Sequence, residues 1–129
     1  MQPLARDPRI KAAVIADPPG SFLTADSLAT VKVPVQLWAS ERGTEAQANS
    51  PDRGVMPESV AAVDRNLSAA HEYHVVPNSR HLDFLICPPA LAGEPVCKDA
   101  PGFDRVAFHK QFNAGVLAFF RVRLDLRTR

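Results

Sequence analysis

A histidine stands where proton transfer would suit it. In His71–Leu85, HEYHVVPNSRHLDFL, a short β-type run is stopped by Pro77 and Asn78, and His81 follows at once. A histidine on the loop just past a buried strand is fixed by the strand and exposed by the loop, which suits a general base. Such a base works with a carboxylate that orients it. The polar stretch from Ser40 to Met56 offers Glu41, Glu45 and Asp52. All three are candidates, and Glu41 lies directly past the preceding strand. The third partner, a nucleophile, has no candidate. No G-x-S-x-G occurs, and Ser21, Ser27, Ser40, Ser50, Ser59, Ser68 and Ser79 all lack that glycine frame. Cys87 follows the histidine in the chain.

Other groups have plainer readings. His71, Glu72 and His74 resemble a metal cluster on paper, but positions 71 and 74 of a strand face opposite sides, which argues against a shared metal. His109 flanks an apolar helical stripe and reads as a packing residue, and Trp38 reads as core. Cys87 and Cys97 lie ten positions apart in a Pro- and Gly-rich segment. That spacing permits a disulfide, which would suit an oxidising compartment, and two free thiols remain the alternative. Arg121, Arg123, Arg127 and Arg129 read as a solvated tail rather than a binding patch.

The elements that must position these groups alternate. Ile10–Asp17 is a nearly continuous apolar run, the pattern of a strand covered on both faces, and Pro18, Pro19 and Gly20 end it. Thr24 caps a short helix through Ala29. Lys32–Ala39 is a second strand, with Pro34 near its start. Pro57 opens a helix whose Val60, Val63 and Leu67 form an apolar stripe. Glu72–Val76 is the third strand. Asp104 caps a last helix to about Arg123, with Phe108, Phe112, Gly115, Val116 and Phe119 on one face. Strands separated by helices predict an α/β fold with a mostly parallel sheet and right-handed crossovers.

The bulk properties fit one small soluble domain. The chain has 129 residues, 46% hydrophobic and 22% charged, with net charge +1. That length carries a real core, and that charge gives no field to attract nucleic acid or an acidic membrane. No apolar run reaches the roughly 18 residues of a membrane span. The N-terminus, MQPLARDPR, is polar and does not read as a signal peptide.

The segments RDPRIKAAVIADPPGSF, VKVPVQLWASERG, PESVAAVDRNL, HEYHVVPNSRH and the tail CPP…C…DAPGFDRVAFHKQFNAGVLAFF resemble, in order and spacing, the C-terminal half of dienelactone-hydrolase-like proteins of the α/β-hydrolase superfamily. The resemblance covers nearly the whole chain. It implies a three-layer sandwich, metal-free and cofactor-free cleavage of carboxylic esters or lactones, and a triad in the chain order nucleophile, acid, base. His81 matches the base and Asp52 (alternatively Glu45) the acid, while the nucleophile elbow would lie before Met1. Two positions depart from the family. Gly43 stands where many relatives have Asp. Arg80 stands where they have Gly before the histidine, and a cation there disfavours the charged imidazole and crowds it.

The expectation is therefore a single partial α/β-hydrolase domain over 1–129, with 1–9 and 125–129 as flexible ends. It would carry the acid and base of a Ser-His-Asp/Glu triad and be inactive alone. The alternative is a non-catalytic remnant or interaction domain on the same scaffold. Expected partners are a small ester or lactone, if an N-terminal half completes the site, and a second copy through an exposed sheet edge. The resemblance implies periplasmic or secreted full-length relatives.

Overall fold

Three short β-type runs, each closed by a turn, build a parallel sheet in the order β1-β2-β3: β1 Ala13–Ala16, β2 Val35–Ser40 and β3 His71–Val76. The computed structural model describes residues 7–44 and 57–125. Register runs from Ala13 opposite Val35 to Ala16 opposite Trp38, and from Val35 opposite His71 to Ser40 opposite Val76. All three carboxyl ends thus meet at one rim. β2 is buried along its whole length, and among the described residues β1 and β3 are the edges. β1 is shorter than its apolar run predicts: it covers Ala13–Ala16, and Asp17, with a positive φ of 48°, turns the chain at its carboxyl end.

The side-chain alternation of β2 builds two clusters. Val35, Leu37 and Ala39 pack with Leu28 of α1 (Ala25–Ala29), with Val60 and Val63 of α2 (Pro57–Asn66), and with Leu67. The predicted stripe of α2 is thus the face it buries. Each such fully buried aliphatic side chain contributes about 1.5–3 kcal/mol. Trp38 points the other way and joins Val76 and Phe108 of α3 (Arg105–Arg123), with Phe112, Phe84 and Phe103 packed against them.

The helix ends follow their sequence signals. Thr24 Oγ1 accepts from Ser27 N at 3.2 Å, and Asp104 Oδ1 accepts from Ala107 N at 2.9 Å. Arg121 and Arg123 belong to α3, and Arg123 lies over the Phe119 ring, so they are helical rather than a frayed tail. Gly115 lets α3 approach Trp38: a Cβ there would sit 3.0 Å from Cζ2. No helix among the described residues is long and apolar enough to cross a membrane.

Candidate active site

Asp17 and His81 meet at the carboxyl rim of the sheet. Asp17 ends β1, where its amide donates to Trp38 O at 2.7 Å and its left-handed backbone turns the side chain across the end of β2. Asp is among the few residues that adopt this conformation readily. The carboxylate is 1% exposed and accepts three hydrogen bonds. They come from Ser40 N at 2.9 Å, Ser40 Oγ at 2.7 Å and His81 Nδ1 at 2.8 Å. Two strand spacings, roughly 10 Å, separate β1 from the loop after β3. A small serine at the end of β2 leaves the path open and ties down the carboxylate midway.

His81 opens a 3-10 turn, His81–Phe84. Its amide donates to Gly43 O at 2.9 Å, so Gly43 supplies a backbone seat for the histidine. Gly43 is buried with a φ of 60°, a conformation that favours glycine. Because the carboxylate only accepts, the proton of the shared bond sits on Nδ1. The neutral ring then presents Nε2 as an acceptor, the form a general base needs. The imidazole is 35% exposed and no hydrogen bond from Nε2 occurs among the described residues.

The anticipated acids fare differently. Glu45 and Asp52 lie outside the described residues, as do residues 1–6 and 126–129, Arg127 and Arg129 among them. Glu41 is described, and its Oε2 accepts from Asn78 N at 2.6 Å, which braces the Pro77–Asn78 turn and not the imidazole. Asp17, which holds the imidazole, was not among the candidates. Its signal was an aspartate closing an apolar strand just before Pro18, where a charge can be buried only with partners. Arg80, just before the ring, has its backbone N donating to Asp83 Oδ2 at 2.7 Å and its Nη1 donating to Lys98 O at 3.3 Å.

The other histidines are engaged elsewhere. His71 Nε2 meets Asp64 Oδ1 at 2.9 Å, and its Nδ1 lies 2.8 Å from Ala69 O. His74 stacks on Trp38 with centroids 4.4 Å apart, and its Nε2 lies 3.2 Å from Glu72 Oε2. The Gln36 amide, donating at 2.9 Å, and then His74 hold the Glu72 carboxyl below the usual carboxylate range. No group of three or more His, Cys, Asp and Glu suited to a metal occurs among the described residues. His109 does more than pack, since its Nε2 donates to Asp83 O at 2.8 Å.

Cys87 and Cys97 form a disulfide with Cα atoms 5.6 Å apart. A cavity of about 270 Å³ opens along β3, lined in part by Trp38, Tyr73, His74 and Gln111. It shares no residue with the Asp17–His81 pair, so the geometry of the pair, not the cavity, marks the candidate site.

No protein-family model, curated protein or solved structure matches this chain.

Proposed function

We propose that Asp17 and His81 are the acid and base of a hydrolase of carboxylic esters or lactones, on the dienelactone-hydrolase pattern. The observation that carries this reading is the 2.8 Å bond from His81 Nδ1 to a buried carboxylate already fixed by Ser40. In this role Asp17 holds the ring in the Nδ1–H form and stabilises the charged form that arises in the reaction. Nε2 removes the proton of a hydroxyl nucleophile and later returns it to the leaving alcohol. The serine elbow is not among these 129 residues, since they contain no G-x-S-x-G. The acid sits one strand earlier than the family order implies, and the small side chain of Ser40 leaves room for that shift.

The scaffold reading goes with it. Helices α1 and α2 pack with one face of β2 and α3 with the other, which supports a three-layer arrangement of the α/β-hydrolase kind. The rim of strand carboxyl ends is where such sheets collect reacting groups. The Cys87–Cys97 bridge suits an oxidising compartment.

The test is hydrolysis of a short-chain p-nitrophenyl ester, an activated substrate that a poised base can help water attack directly. A positioned general base contributes about 10²–10⁴-fold, so His81→Ala and Asp17→Asn should each lower the protein-dependent rate by at least about 10². Equal rates for the unaltered chain and both variants would remove the catalytic reading and leave the non-catalytic scaffold.

A further inference from the structure

We infer that Arg105, the first residue of α3, is a positioning residue that sets the turn carrying His81. The inference rests on the reading of His81 as the base. Arg105 is a 7% exposed arginine whose guanidinium is divided between two segments. Toward the His81–Phe84 turn, Nη2 donates to Asp83 Oδ1 at 2.9 Å, and Nη1 donates to Leu85 O at 3.1 Å and Leu82 O at 3.4 Å. Toward the disulfide loop, Nε donates to Asp99 Oδ1 at 2.7 Å, Nη2 to Val96 O at 3.2 Å, and Nη1 to Cys87 Sγ.

The chain of contacts reaches the imidazole in two steps. Asp83, 1% exposed, is gripped by Arg105 through Oδ1, and its Oδ2 accepts the amide of Arg80, the residue just before His81. The turn is thereby closed from both ends: Asp83 holds the entry, and the guanidinium holds the carbonyls of Leu82 and Leu85. His109 lies four residues along α3, on the same helix face, and donates to the carbonyl of Asp83 as well. Two side chains of one helix therefore converge on the residue that fixes the entry to the base. A lysine could keep the charge at 105, but its compact ammonium cannot span Asp83, Asp99 and three carbonyls at once.

Imidazole NMR on the full chain tests this without any need for turnover. In the unaltered protein His81 should show one tautomer, with a slowly exchanging Nδ1 proton. In a folded Arg105→Lys variant that proton should exchange about tenfold faster with water, the loss expected when one hydrogen bond's worth of constraint is removed. The Nε2 contact of His71 with Asp64, at the other end of β3, should stay as it is. A folded variant with an unchanged His81 ring overturns the inference.

A second measurement needs no variant. The Arg105 Nε proton and the His81 Nδ1 proton of the unaltered protein should exchange through one opening, with the same response to denaturant. Two separate openings overturn the inference too. A chain inactive on esters whose His81 ring still depends on Arg105 would sink the proposed function and leave the positioning role in place.

Discussion

Replacing Asp17 separates two things that its carboxylate does. Asp17→Ala leaves the buried amide of Ser40 without its acceptor, frees Ser40 Oγ and His81 Nδ1, and forces alanine to a φ of 48°. An orphaned buried donor costs about 1–3 kcal/mol and a left-handed alanine about 1–2 kcal/mol, so the variant should lose about 2–5 kcal/mol. Asp17→Asn keeps an oxygen for Ser40 N and tolerates the left-handed backbone. It gives up charge-assisted bonds but no longer buries a charge, and should lose only about 1–2 kcal/mol.

Both variants should, however, lose the fixed Nδ1–H form of the ring. Asparagine turned toward Ser40 presents its NH₂ to His81 Nδ1, which drives the proton to Nε2 and leaves the wrong nitrogen bare. Urea denaturation at neutral pH, followed by the fluorescence of the single tryptophan, Trp38, gives both stabilities. The reasoning fails if Asp17→Ala lies within about 0.5 kcal/mol of the unaltered chain, the range of a surface substitution. It also fails if the asparagine variant is as unstable as the alanine one.

Three other outcomes follow from the packing and the charges. Gly115→Val drives a side chain into Trp38, whose Cζ2 lies 3.0 Å from where a Cβ would sit, and should cost about 1–3 kcal/mol in the same denaturation assay. Replacing both Cys87 and Cys97 by serine frees a short loop and should cost roughly 3 kcal/mol, read from the shift in denaturation midpoint. Glu72 is held below its ordinary value of 4.5 by the Gln36 amide and then by His74, so its contribution to stability is full above that value and is lost as the pH falls through the lower folded value. Stability measured from pH 6 to pH 3 should fall less steeply for Glu72→Gln, and identical slopes would refute that assignment.

The elements were legible because each carried several agreeing signals. Thr24, Pro57 and Asp104 mark helix starts, and the stripes of α2 and α3 name their buried faces. The place of His81, past a strand and an Asn turn, was legible for the same reason. Asp17 was not. Its role depends on a left-handed backbone at the end of β1, on a small residue at the end of β2, and on the adjacency of three strands far apart in sequence. None of these is local. Arg105 was hidden in a similar way: it looks like an ordinary first-turn residue, and only tertiary packing brings Asp83 and Asp99 to it. The role of Gly43 was hidden too: its carbonyl accepts the amide of His81, a contact that only the fold brings about.

The most direct measurement is the nitrogen-15 spectrum of the His81 ring in the unaltered chain, identified by its loss in His81→Gln. A neutral ring with its proton on Nδ1, hydrogen-bonded to Asp17, and with Nε2 bare is the predicted result. A neutral ring with the proton on Nε2, or one that averages between the two forms as a free imidazole does, would contradict the account.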